Sequence, residues 1–226
     1  MYPMSRRSFL AAASATALAG CAPQREPLVV ASGPYIPPEY YAVYGPRPDE
    51  QFPLPATDLS EVDPRFLRQE VDFSASHPVG SIVVDPGARY LYYVQSRGRA
   101  IRYGVGVGRA GYQFKGNAYV GRKASWPRWT PTANMIADNP DKNGPWAGGM
   151  EPGLENPLGA RALYLYTGGR DTMYRIHGTN EPSSIGENVS SGCVRMFNQD
   201  VIDLHDRTPV GAQVLVRPSV MPAGVA

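Results

Sequence analysis

The sequence predicts a mainly β protein, a sandwich or partly open barrel with one or two short helices. Three observations carry that prediction. Proline (23) and glycine (24) each make up about a tenth of the 226 residues, against ordinary shares of about 5% and 7%, which leaves little room for a helical bundle. Short runs of β-branched and aromatic residues recur with turn dipeptides between them. Only the segment after Asn198, with Val201, Ile202 and Leu204, has a clear helical spacing.

The strands follow in order. Ser81–Asp85, Tyr90–Val94 and Ala100–Val107 are separated by Pro86-Gly87 and Arg97-Gly98. Further strands are expected at Ala118–Lys123, Ala162–Tyr166, Met173–His177 and Val214–Arg217, in a mainly antiparallel arrangement. Asn198 is the expected N-cap of the helix. Asp63-Pro64 reads as a cap followed by proline at the first helical position, with Phe66, Leu67 and Val71 as a short apolar face.

The remainder divides into address, tether and domain. Residues 1–20 hold Arg6-Arg7, Phe9-Leu10 and a mild alanine-rich stretch, too short to span as an anchor. The pattern resembles a twin-arginine export signal, with general export left open. Leu18-Ala19-Gly20-Cys21 resembles a bacterial lipobox, which implies acylation of Cys21. The expected location is then the periplasm, with a lipid anchor in the outer membrane. Residues 21–64, with ten prolines from Ala22 onward, read as a polyproline-like tether. Its 43 residues from Ala22 to Pro64 would reach on the order of 130 Å at about 3.1 Å each. Residues 65–78 form a lead-in, 79–217 the domain and 218–226 a tail. Asp138–Pro157 reads as a long structureless loop that gates a cleft, with Trp146 a candidate contact and Trp126 and Trp129 at its border or in the core.

Charge excludes one class. With 22 basic and 20 acidic residues and no basic run, no nucleic-acid partner is expected. Metal sites are equally unsupported: Asn139 to Asn143 begins like a calcium loop, but position twelve is Met150. His77 and His205 lack partners at ligand spacing. No metal and no cofactor is expected.

The chemistry lies between His177 and Arg195. A thiol nucleophile needs a base near enough to take its proton and surroundings that favour thiolate. His177 closes an expected strand, and Cys193 follows a Gly-containing turn sixteen residues later. Gly192 allows close backbone approach, and the neighbouring amides can meet an oxyanion. Arg195 falls on the face of Cys193 if the chain is extended there. It can hold a substrate carboxylate, or pair with a structural acid such as Asp200.

His177-Gly-Thr-Asn, Ser184-Ile-Gly and Ser190-x-Gly192-Cys193-Val-Arg195-Met, continued through Asn198-x-Asp200-Val201, resemble the signature of the L,D-transpeptidase family (YkuD domain; ErfK/YbiS/YcfS/YnhG) over about residues 79–217. The resemblance implies a β-sandwich-like catalytic domain acting on peptidoglycan stem peptides. It makes Cys193 the nucleophile, His177 the proton donor and acceptor, and Gly178 the carbonyl that orients His177. Gly192 becomes an oxyanion amide, with Arg195, Ser191, Thr179 and Trp146 as substrate contacts. Many relatives carry histidine where this chain has Ser191. The implied reaction passes the acyl group of a diaminopimelate L-centre, freed of D-Ala, to an amine. Candidate acceptors are a second stem, an outer-membrane protein, a free D-amino acid and water. A hydrolase or carboxypeptidase with the same dyad, or a non-catalytic wall-binding lipoprotein, are the alternatives.

Overall fold

A computed structural model gives the fold and describes residues 35–74, 76–108, 114–189 and 193–219. The strands are β1 (Gln69–Asp72), β2 (Ile82–Asp85), β3 (Tyr90–Val94), β4 (Arg99–Gly104), β5 (Gly106–Gly108) and β6 (Gly116–Ser125). After a long excursion come β7 (Arg161–Thr167), β8 (Arg170–His177), β9 (Asn188–Val189), β10 (Val194–Arg195) and β11 (Gln213–Val216). They form one mixed sheet in the order β1-β4-β3-β2-β11-β6-β7-β8-β10-β5-β9. Most pairs are antiparallel; β2–β11, β8–β10 and β5–β9 are parallel. The fold class is therefore mainly β, as the turn-punctuated apolar runs require.

The sheet packs on one main core. Leu91 and Ile101 near one end, Val120 and Leu163 in the middle, and Ile176 and Val194 near the other all belong to one buried cluster. Such burial contributes roughly 1.5–3 kcal/mol for each large aliphatic side chain. The expected strand Ala100–Val107 divides at Val105 into β4 and β5. At Gly104, a Cβ would collide with the backbone of Phe66, so glycine there admits a neighbouring chain segment.

That segment corrects the tether. The residues from Tyr35 to Leu67 pack on the domain instead of extending from it. A five-residue helix α1 (Glu39–Val43) leads into Tyr44, and Ile36, Tyr44, Leu59, Val62, Phe66 and Leu67 bury together with Ile185 and Phe197. Prolines fix φ without forbidding burial, and the side chains between them are apolar enough to form a second small core. The reach calculated from 43 free residues does not hold. Asp63 does cap a 3-10 turn at Pro64–Phe66, its carboxylate accepting from Arg65 N at 3.0 Å. The chain then turns into β1, so Val71 is a strand residue and not part of a helical face.

The gating loop is corrected as well. Helix α2 (Ala133–Asp138) leads into it, and helix α3 (Pro140–Asn143) and a 3-10 turn at Gly144–Trp146 lie within it. Thr132 and Asn139 cap the two helices through their side-chain oxygens. Asn143 donates to Met135 O at 2.6 Å and Asn156 to the carbonyls of Pro127 and Glu151 at 3.1 Å each. The asparagines thus serve the backbone, Asn139 as a cap and Asn143 and Asn156 as donors to carbonyls.

Helix α4 (Asn198–Arg207) closes the core with Val201 and Leu204. Its N-cap is Phe197, not Asn198, and no side chain caps it. Asn198 serves two neighbours instead: its oxygen accepts from Ala160 N at 2.9 Å and its amide donates to Thr179 O at 2.8 Å. No helix among the described residues is long and apolar enough to cross a membrane.

Candidate active site

β8 and β10 run side by side, with Ile176 opposite Val194 and His177 opposite Arg195. Side chains alternate along a strand. Tyr174, Ile176, Val194 and Met196 fill the core, so Arg175, His177 and Arg195 point the other way. Cys193, one residue before β10, stands beside Arg175. All four line one cleft of about 850 Å³, whose opposite wall includes Trp129, Met135, Trp146 and Met150.

His177 is 4% exposed, and its Nδ1 lies 2.6 Å from the Gly178 carbonyl. A carbonyl only accepts, so Nδ1 carries the proton and Nε2 is left as the basic nitrogen. Burial drives the imidazole pKa down to about 4, with Arg195 and Arg175 adding to the effect and the carbonyls of Gly178 and Pro157 opposing it. His177 is therefore neutral at physiological pH.

Cys193 is buried, and its Sγ lies 3.7 Å from the Met173 carbonyl. Burial pushes the thiol pKa up, partly countered by the Arg175 backbone and charge. The resting pair is thus neutral thiol and neutral imidazole. Met173 holds its carbonyl there from a left-handed conformation (φ 61°) inside a register shift between β7 and β8. Non-glycine residues adopt that region at some cost, and here the Asp171 carboxylate accepts from Met173 N at 2.8 Å.

Arg195 pairs with Glu181 at 2.7 Å. Burial alone would raise the Glu181 pKa, but the Arg195 hydrogen bond and charge bring it below the ordinary value. The alternative partner, Asp200, is fully buried elsewhere, where Tyr44 donates to it at 3.0 Å and Arg68 lies 3.7 Å away. Trp146 reaches the cleft wall and Trp129 joins it, whereas Trp126 packs against Phe52. Thr179 does not line the cleft: it is 2% exposed, and its hydroxyl accepts from Glu181 N. Ser191, Gly192 and Cys21 lie outside the described residues. Among the described residues, no three His, Cys, Asp or Glu side chains converge on a metal position.

Arg175 escaped the sequence reading. The signal was available, since it alternates with His177 along one strand and must share its face.

A mixed β-sheet thus carries a thiol, an oriented imidazole and a guanidinium along one cleft wall. The family model for the L,D-transpeptidase catalytic domain, YkuD, matches residues 80–216, and the chain belongs to that family. Probable L,D-transpeptidase YbiS of Escherichia coli K12 is 37% identical over 137 residues, covering 60% of this chain and 43% of that protein. Probable L,D-transpeptidase ErfK/SrfK of Salmonella typhimurium is 39% identical over 152 residues, covering 63% and 47%. These matches span less than half of either relative. A crystal structure described as a probable carnitine operon oxidoreductase caia from Brucella melitensis is 44% identical. It covers 73% of this chain and 98% of that one, at a TM-score of 0.49. At that TM-score the likeness carries no inference about activity.

Proposed function

We propose that the protein is a cysteine-dependent peptidoglycan L,D-transpeptidase. The observation that carries this reading is the shared cleft of Cys193 and His177, with Nδ1 fixed on the Gly178 carbonyl, which leaves Nε2 as the basic nitrogen. Because both groups rest neutral, the thiol proton moves as the donor is attacked. The S–H turns from the Met173 carbonyl to Nε2, and Sγ bonds to the carbonyl carbon of the diaminopimelate L-centre. Backbone amides at Gly192 and Cys193 receive the oxyanion. The tetrahedral adduct then collapses: the imidazolium gives its proton to the departing D-Ala amine, leaving a thioester. An acceptor amine, deprotonated by the neutral ring, completes the ping-pong transfer. Arg195 and Trp146 contact the peptide.

The N-terminal pattern supports a periplasmic location with a lipid anchor on Cys21. Cys21→Ser should then release the protein from the membrane fraction.

Mass analysis of muropeptides incubated with the purified protein tests the reaction. Cross-linked or D-amino-acid-exchanged products are expected from the wild type and not from Cys193→Ala at unchanged melting temperature. Free tripeptide as the sole product would make the enzyme a carboxypeptidase. Products formed equally by Cys193→Ala would end the mechanism.

A further inference from the structure

One row of residues crosses the sheet toward the thiol. Arg122 on β6 is opposite Tyr164 on β7, and Tyr164 is opposite Arg175 on β8. Arg175 in turn stands beside Cys193. The row lies on the cleft face, and all four residues line the cleft. Arg122 and Arg175 both sit on the Tyr164 ring, their guanidinium carbons 3.4 and 4.4 Å from its centroid. Ring and guanidinium faces attract, and the stack holds two long side chains in fixed places.

The cations of this cleft are not equivalent. Arg128 pairs with Glu151, Lys142 and Arg195 share Glu181, and Arg175 grips Asp171 through both nitrogens at 2.6 and 2.8 Å. Arg122 is exposed and makes no ion pair among the described residues. Asp171 feels its charge, but both carboxylate oxygens of Asp171 are already held by Arg175. A guanidinium facing a cleft with its fork unfilled is suited to planar recognition of a carboxylate.

We propose that Arg122, held on Tyr164 beside Arg175, forms an anion subsite of the cleft that takes a free carboxylate of the acyl donor. The proposal rests on the acyl-transfer reading and adds to it which donors are preferred. Neighbouring strands lie about 4.8 Å apart, so a guanidinium over Tyr164 stands two spacings, about 10 Å, from the thiol row position. That separation selects a carboxylate near the attacked carbonyl. The distal carboxylate of the diaminopimelate itself, at the far end of its side chain, has the right chemistry and reach.

The test uses tetrapeptide donors whose distal diaminopimelate carboxylate is either free or converted to the carboxamide. Wild type should favour the free acid by about tenfold or more in kcat/KM, the scale of one charge-assisted contact, and chiefly through KM. Arg122→Gln should lower the free-acid donor far more than the amide and so erase the preference. Arg122→Lys, a point charge without the fork, should keep part of it. An Arg122→Gln enzyme that retains the full preference, or that loses both donors equally, overturns the subsite. Affinities of the two donors for Cys193→Ala, by calorimetry, separate this from the reaction itself. If no donor is turned over by wild type, the acyl-transfer reading falls. Even then, tighter binding of the free acid that disappears with Arg122→Gln supports the subsite, and equal binding of acid and amide overturns it.

Discussion

The strap at residues 35–67 and the lid at residues 132–158 share a composition that reads as irregular, and they are held in opposite ways. The strap buries Ile36, Tyr44, Leu54, Leu59, Phe66 and Leu67. It is also bonded to α4, where the Gln199 amide donates to the carbonyls of Tyr44, Gly45 and Pro55. In the lid, the buried residues are Asn143 and Asn156, and their amides hold it by donating to the carbonyls of Met135, Glu151 and, just before the lid, Pro127. Proline and glycine content therefore does not decide order here. What decides it is whether the side chains between them find apolar partners. By this comparison the strap belongs to stability and the lid to the cleft.

Breaking the strap should have the largest effect. Tyr44→Ala removes a buried ring and strands the Asp200 carboxylate and Arg68 amide that its hydroxyl serves. A loss of about 3–5 kcal/mol is expected, read as a melting temperature lower by roughly 10 °C. A Tyr44→Ala protein with an unchanged melting curve would reduce the strap to a tether after all.

His177 lines the cleft that the lid borders, and its burial makes stability depend on pH. The folded state holds its pKa at about 4, below the ordinary 6.5, so the unfolded chain binds the proton more readily. Stability from this group is complete above pH 6.5 and is lost as pH falls toward 4, by about 3 kcal/mol in all. Asp200, whose buried carboxyl is pushed up to about 7, slopes the other way. The difference between wild type and His177→Asn, followed by denaturant melts from pH 4 to 7.5, isolates the histidine.

The lid's own anchor comes next. Asn156→Ala leaves the carbonyls of Pro127 and Glu151 without their donor, a cost of about 1–3 kcal/mol. Loosening the lid should also admit water to the imidazole. The acid limb of kcat/KM, expected near pH 4 in wild type, should then move up toward 6.5. A stable variant with an unmoved limb would mean that the sheet alone keeps His177 dry.

Trp146→Ala should have the smallest effect on stability and the most selective effect on activity. The ring is 40% exposed at the cleft wall. A change below about 0.5 kcal/mol is expected, with KM for the donor rising severalfold. If melting shifts instead and KM does not, the lid is a second strap.

The parts legible in the sequence are those with local grammar. Tyr90–Val94 is a strand because four of its five residues are aromatic or β-branched and turns bound it. His177 and Cys193 come together because β8 ends on the one and the neighbouring β10 begins just after the other, and the sequence motif the chain resembles includes both. The strap was illegible because its partners are remote: Tyr44 and Asp200 are 156 residues apart, Thr57 and Gln199 142, and no local period encodes such contacts. The lid was legible in principle. Thr132 and Asn139-Pro140 are helix-start signals that a glycine-rich setting concealed. Asn198 misled for a physical reason: a side chain able to cap was claimed by two backbone groups across the fold.

The Gly178 carbonyl has a consequence for mutational tolerance. The group that orients His177 belongs to the main chain, so no codon change can delete it, and no change of pH can protonate it as it could a carboxylate. It can fail only by moving. A Cβ at Gly178 or at Gly159 would collide with the Asn198 oxygen, and Asn198 itself pins the chain on both sides, at Ala160 and Thr179. Fragility that a conventional triad would concentrate in one acidic side chain is here transferred to a three-residue steric lock. Variants at Gly159, Gly178 and Asn198 should therefore act as one unit, the second substitution adding little to the damage of the first.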